Sequence, residues 1–452
     1  MDATTLRKIV HDFFPKTLIK AAIKRLGVQL RDRKRDLSCL LAALVMTAGS
    51  DDSGRQADVF TTYLEEAEKK VVRGAFYAWF NDPLAALMRE LTTHAMEKVW
   101  EQPPRLTGRL AKVGVKDWIV VDSETVTLPD ELADLFPATS TAAGLKVHKY
   151  FSLGRNNVVD FEITPAREHD APLLRLDERW RGMGLIVDLG YVSLELIREC
   201  QRLDILLVIR LKKGWKPRML RTVDEFGELL DIDGEPVLDK LLDMASGDYD
   251  GSSFDFDVAI GRGKRRVTAR LVGVPGPSDY HWCITLLPRD AATPELVQLL
   301  YRARWEIELD NKRDKGGARL DQIQGRKRAS VLILVYASLI RTMLANHLVY
   351  IDLRDRPPTR APLHGMAVAL ALNVCASRIL AAMETDDPRL WRKAARAIRA
   401  RGHDPNWRRR PSVLDQLRGI TAPPGRPRKT RQRDCPPSAL PYRQPPAASQ
   451  QW

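Results

Sequence analysis

Residues 117–129, DWIVVDSETVTLP, mark the point where the chain changes character. Before it, LRKIVHDFF, TLIKAAIKRLGV, DLSCLLAALVMTAG and PLAALMRELTTHAMEKVWE carry apolar residues at helical spacing, interrupted by the loop GSDDSG at 49–54. At residue 117 the period shortens. DWIVVD is a short β-rich apolar run that ends in Asp122, and SETVTLP alternates with a period of two. A helical segment therefore gives way to sheet, and the rest of the chain is read outward from this boundary.

Downstream, GLKVHKYFSL (144–153) and VVDFEITPA (158–166) are two further strands separated by the turn GRNN. Connections this short suggest an antiparallel set. APLLRLDERWRG (171–182) reads as a helix with Pro172 in its first turn. LIVD (185–188) is a buried strand, the turn LGY follows, and SLELIRECQRL is a helix with Ser193 as N-cap. DILLVIRL (204–211) is another buried strand. The order β-β-β-α-β-α-β predicts an α/β fold, a mixed sheet covered by helices.

From residue 212 to 288 there is more chain than that sheet needs. FDFDVAIG, RRVTARLVGV and YHWCITLL alternate as strands, which predicts an inserted β subdomain. Helices in SVLILVYASLIRTMLANHL and APLHGMAVALALNVCASRIL are expected to pack the back of the core. The predicted organisation is a helical N-terminal domain at 1–110, the core at 111–211, the insertion at 212–288, and the second part of the core with C-terminal helices at 289–400. Residues 401–452, rich in Arg and Pro, read as a disordered basic tail.

The formal net charge of +14 and pI of about 9.6 point to a polyanionic partner. The charge is concentrated at the ends: residues 1–50 hold ten Lys/Arg against four Asp/Glu, and residues 391–434 hold fourteen against three. The basic cluster at 31–35 fits a small helical DNA-binding module; a solvated helix edge is the competing reading. The tail either binds DNA non-specifically or solubilises the chain. No 18-residue uncharged apolar run and no signal-peptide core is found, so no membrane partner is expected. Five scattered cysteines without a CxxC pair, and histidines without ligand spacing, argue for a reducing compartment and against structural zinc. A cytoplasmic, nucleoid-associated location is expected.

Two carboxylates stand at strand ends, Asp122 and Asp188, where ligands of α/β sheets gather; a turn or cap role is the alternative for either alone. A third acid lies in YRARWEIELDNKRDK, Tyr301–Lys315, which has no Pro or Gly and reads as one helix. At about 100° per residue, with Tyr301 at zero, Arg304, Glu308, Lys312 and Lys315 fall within about 60° of it on either side. One carboxylate then shares a face with a phenol, a guanidinium and two ammonium groups, an arrangement that can hold a metal ion and clamp phosphates. A solvated charged helix is the bland alternative. Three oxygen-donor acids on separate elements suit hard divalent cations, and two such ions about 3.5–4 Å apart would serve phosphodiester displacement.

The pattern Tyr301-x2-Arg304-x3-Glu308-x6-Lys315 resembles the YREK signature of IS4-type bacterial insertion-sequence transposases. VVDSETVTLP around Asp122 and IVDLGYVS around Asp188 are similar to that family's first and second acidic blocks. The resemblance covers roughly residues 5–345 and implies an RNase H-like core with a DDE triad of Asp122, Asp188 and Glu308. It also implies Mg²⁺ or Mn²⁺, cut-and-paste transposition through hairpin ends, and a homodimer on paired transposon ends engaging double-stranded end and target DNA. Tyr301, Arg304, Lys312 and Lys315 would then hold phosphates, and Trp282 is the candidate for an aromatic that flips a base, with core packing as its alternative. Two departures stand out. Asn311 replaces a common aromatic, which should loosen packing behind the motif, and Leu189 replaces a frequent basic residue. An RNase H-like nuclease or resolvase, and a DNA-binding protein without catalysis, remain the competing functions.

Overall fold

The computed structural model describes residues 1–27, 37–48, 56–66, 71–223, 228–232, 237, 252–276, 279–355, 361–404 and 412–419. The basic cluster at 31–35, the 49–54 loop, part of the insertion and most of the Arg/Pro tail lie outside these.

The boundary stretch becomes a single long strand, β1 (Trp118–Leu128). Its first four residues are buried and the rest alternate, because its neighbours differ along its length. The hairpin partner β2 (Ala143–Ser152) runs antiparallel along nearly all of it, whereas β4 (Gly184–Val187) pairs in parallel only with Trp118–Val121. β3 (Asn157–Pro165) completes the antiparallel set, reached through a turn in which Asn156 takes a positive φ of 53°. β4 pairs in parallel with β5 (Leu206–Arg210) through the helix Leu194–Arg202, whose N-cap is the expected Ser193, accepting from Leu196 N at 3.0 Å. Gly184 sits under the Trp118 ring, where an added Cβ would come within 2.3 Å of the indole.

The expected helix at 171–182 is absent. Only two short 3₁₀ turns form, Ala171–Leu173 and Glu178–Trp180. Most of the segment is exposed, Leu174 and Leu176 are half-buried and only Trp180 is buried, too little apolar burial to support a helix this short.

β6 (Arg218–Val223), β7 (Leu229–Asp231), β8 (Phe254–Ile260), β9 (Val267–Pro275) and β10 (Tyr280–Thr285) extend the same sheet rather than starting a second one. β10 pairs antiparallel with β5, giving ten strands in the order β3-β2-β1-β4-β5-β10-β9-β8-β6-β7. The result is the mixed α/β sheet expected, with helices at both ends of the chain. Arg270 on β9 grips Asp255 on β8 with two hydrogen bonds (2.8 and 2.6 Å) and donates to the carbonyls of Leu287 and Ala292, tying this half of the sheet to the chain that leads back to the core.

The helix Arg328–Asp355 is buried over nearly its whole length, which explains why it is apolar all round. It and Gly365–Thr385 are long and apolar enough to cross a membrane, but the first is wholly buried in this fold. Its Arg341 donates to the carbonyls of Val45 and Met46 at the end of the N-terminal helix Leu37–Thr47 and to Ala369 O, joining the helical N-terminus to the core. Within the stretch read as disordered tail, residues 412–419 are docked instead. Ser412 and Asp415 form a capping box, Leu414 and Leu417 are buried, and Arg418 donates to Leu153 O at 2.9 Å. Two leucines and one guanidinium suffice to anchor a segment whose composition is otherwise that of a tail.

Candidate active site

The parallel register of β1 and β4 ends at Val121↔Val187. The next residues are Asp122, in the middle of β1 where its parallel pairing stops, and Asp188, just past the carboxyl end of β4, on neighbouring chains about 4.8 Å apart in strand spacing. Two acids 66 residues apart in sequence meet because Gly184 lets β4 pack against Trp118 in that register.

The third acid arrives on a helix that is not continuous. Tyr301–Lys315 was expected to be one helix; it is two, Pro294–Arg302 and Trp305–Gly316. Between them Arg304 N bonds to Tyr301 O (3.0 Å), Glu306 N to Ala303 O (3.0 Å) and Ile307 N to Arg304 O (3.2 Å), a run of tightened i→i−3 bonds. The first helix packs on β5, β9 and β10, the second on β1 and the C-terminal helices. The sheet twists between those strands, and the joint lets the chain follow it. The single helical wheel therefore does not apply across 303–304, although it holds from Glu308 to Lys315.

Arg304, at the joint, bridges the acids. Its Nη2 donates to Glu308 Oε1 at 2.5 Å and its Nε lies 3.7 Å from Asp188 Oδ1. Burial disfavours its charge, but Asp188, Tyr301 and Glu308 more than offset this and hold it protonated. Asp122 is pushed up to about 6 by burial, with Asp188 and Glu308 adding to the rise against the Ser123 N–H and Arg304. The Tyr301 hydroxyl is pushed up to about 12, chiefly by burial, with Arg304 opposing and Asp188 reinforcing the shift. Asp122, Asp188, Glu308, Arg304 and Tyr301 thus form one electrostatic cluster.

Lys312 and Lys315 make no ion pair among the described residues. Lys312 Nζ lies 4.4 Å from the centroid of the half-exposed Trp305 ring, and Lys315 is half-buried. Trp282 stands in an aromatic ladder on the sheet, stacked on Phe254 (5.7 Å) and Tyr280 (5.6 Å), with its ring over Gly273.

One residue at the site was read only as a departure. Asn311, three positions after Glu308, directs Nδ2 toward Asp122 Oδ2 at 3.5 Å, and its buried Oδ1 has no hydrogen-bond partner. The i+3 spacing from Glu308 was the available signal. The orphaned amide oxygen and three carboxylates are the hard oxygen donors a divalent cation takes, so the donor set fits such an ion. Among the described residues no three acidic side chains converge on one point; the Arg304 guanidinium bridges two of the three and supplies positive charge between them.

A second group of acids lies directly behind the first. Lys149 on β2, level with Asp122, is fully buried and reaches Glu124 Oε1 (2.6 Å), Asp310 Oδ2 (3.2 Å) and Asp314. One ammonium thereby fastens the strand that carries Asp122 to the helix that carries Glu308. Asn346 Nδ2 and Arg313 Nη2 complete the shell of Asp310 at 2.7 and 3.3 Å.

Residues 114–344, half of the chain, match the family model described as the transposase DDE domain. No curated protein matches the sequence. Among solved structures, a piggyBac transposase synaptic complex with hairpin DNA, determined by cryo-EM, is similar over 89% of this chain and 86% of that one, at 12% identity and a TM-score of 0.43. With two acids side by side where the parallel pairing of β1 and β4 stops, a third on the helix beside them and the family model spanning all three, the chain belongs to the transposase DDE-domain family of DNA transposases.

Proposed function

We propose that the chain binds transposon ends and moves DNA by cut-and-paste transposition, cleaving and rejoining phosphodiesters with Asp122, Asp188 and Glu308 as metal ligands. The observation that carries this reading is the Val121↔Val187 register, which sets Asp122 and Asp188 side by side, with Glu308 joined to Asp188 through Arg304. Mg²⁺ or Mn²⁺ at these carboxylates would activate the attacking oxygen and neutralise charge on the leaving one.

The side chains contribute the rest. Asp122 must lose its proton to serve as a ligand, so binding competence rises through about pH 6. Arg304, released from Glu308 and Asp188, can turn to a phosphate oxygen of the scissile strand, with Tyr301 beside it and Lys312 and Lys315 further along the helix. Hairpinned ends, a homodimer on paired ends and a DNA-binding role for the helical N-terminus belong to this reading, as does action in the bacterial cytoplasm at the nucleoid. The basic ends of the chain favour a DNA partner.

The test is cleavage of the DNA flanking the gene, with Mg²⁺ or Mn²⁺, by wild type and Glu308→Gln. Hairpinned element ends that disappear in the variant support the proposal. Nicks without joining favour a nuclease on the same fold. Specific binding with no cleavage under either metal favours a DNA-binding protein without catalysis.

A further inference from the structure

A cleft of 520 Å³ wraps the free edge of the sheet at β3, outside the acid cluster. Arg89 from the helix Asp82–Trp100, Arg328 from the start of the helix Arg328–Asp355, and Arg175 from the loop after β3 line it, with Phe161 and Tyr336 packed edge to face at 6.1 Å. All three arginines are exposed, and none makes an ion pair among the described residues. The cleft also holds Asp160 and Glu162, but Asp160 is already taken by Arg179.

Two features show that this is not a casual surface. Arg89 and Arg328 come from different helices, yet both line this cleft beside Tyr336, and the charges of both oppose the rise that burial gives its hydroxyl. Arg328 is also the first residue of its helix, and no acidic residue stands in that first turn. A cation there opposes the helix dipole, a cost that an anion shared by the guanidiniums and the helix end would offset. The aromatic rings beside the charges suit a flat, unsaturated group attached to that anion.

We propose that this cleft holds a nucleotide of a DNA strand, its phosphodiester between Arg89 and Arg328 and its base against the Phe161 and Tyr336 rings. The inference rests on the reading of the chain as a DNA transposase. Its position suits that role: Asp122 is level with Lys149, and Lys149 with Phe161, so the cleft opens two strands from the acid cluster, about 10 Å in strand spacing. A strand leaving the cluster would reach it within a few nucleotides.

The test is the double substitution Arg89→Gln/Arg328→Gln in the full chain, with circular dichroism as the control for folding. Anisotropy with a labelled 30-base strand and its duplex, without metal, is followed across 50–200 mM NaCl. Loss of the one phosphate held by the two guanidiniums should lower the slope of log K against log salt by about 0.7 to 0.9 and weaken binding several-fold at the lower salt. An unchanged slope and affinity, with wild type binding DNA normally, would overturn the cleft and leave the transposase reading standing. If wild type binds neither DNA, both fail. Calorimetry with dAMP and with inorganic phosphate separates the sources. Binding of either that is lost in the variant, with the DNA slope unchanged, would assign the cleft to a free phosphate ester and overturn the proposal.

Discussion

Lys149→Met removes the ammonium that ties β1 to the Glu308 helix while keeping the length of the side chain. In the folded chain Lys149 is fully buried. Burial opposes its charge, but Asp314, Glu124 and Asp310 together raise its pKa above the usual lysine value, so it stays protonated. Glu124 is pushed well up, first by burial and then by the charge of Asp314, with Lys149 opposing, so burial holds it toward its neutral form while Lys149 balances the acids around it. Removing one partner of a buried pair costs about 3–5 kcal/mol, because the others remain uncompensated. At roughly 1–2 °C per kcal/mol for a chain longer than 250 residues, the melting temperature should fall by about 3–10 °C. Glu124→Gln, in contrast, keeps the shape of a group that burial holds toward its neutral form and should cost less than Lys149→Met. Calorimetry on the two variants checks the pair of outcomes, and Lys149→Met combined with Asp314→Asn should recover part of the loss. If Glu124→Gln is as damaging as Lys149→Met, or if Lys149→Met melts with wild type, the charge assignment in this cluster is wrong.

Three further outcomes follow from the site. Asp122 has a folded-state value of about 6 against 3.8, so the folded chain holds its proton more tightly and stability falls as pH rises through that window. The full shift corresponds to about 3 kcal/mol, fully lost above pH 6; Asp122→Asn should therefore melt higher than wild type at pH 7.5 and not at pH 4, and pH-dependent melting curves that run parallel would contradict this. Added Mg²⁺ or Mn²⁺ should raise the melting temperature of wild type at pH 7.5 and leave Asp122→Asn unmoved, read by differential scanning fluorimetry. Gly184→Val places side-chain atoms inside the Trp118 ring, where even a Cβ would lie 2.3 Å away; it should destabilise by about 3 kcal/mol or more and abolish cleavage by moving Asp188, a result that a native-like, active variant would refute.

The two sets of acids differ in how far they could be read. Asp122 and Asp188 ended apolar runs, and strand ends are where such sites form, so the sequence alone marked both. Glu308, Arg304 and Tyr301 carried a spacing that a helix makes meaningful locally. The wheel misplaced their relation across 303–304, because the tightened joint answers to the twist of a sheet built from residues far away. The helix expected at 171–182 failed for a similar reason: its pattern was adequate, but Trp180 is buried against Tyr150 and Leu174 and Leu176 against the core by short turns rather than along one helical face.

By itself the sequence determined the change from helical to strand period near residue 117, most of the core strands and the family resemblance, and marked the three acids as candidates, since all of these are patterns among residues close together along the chain. Tertiary structure alone decided that β10 pairs with β5 to make one ten-stranded sheet, that Arg304 bridges Asp188 and Glu308, and that Asn311 faces Asp122. It also decided the meeting of Lys149 with Glu124, Asp310 and Asp314, and that of Arg89 with Arg328. Apart from the short step from Arg304 to Glu308, those pairings join residues 25 to more than 200 positions apart, and a local pattern carries no information about which distant charge will be buried beside it.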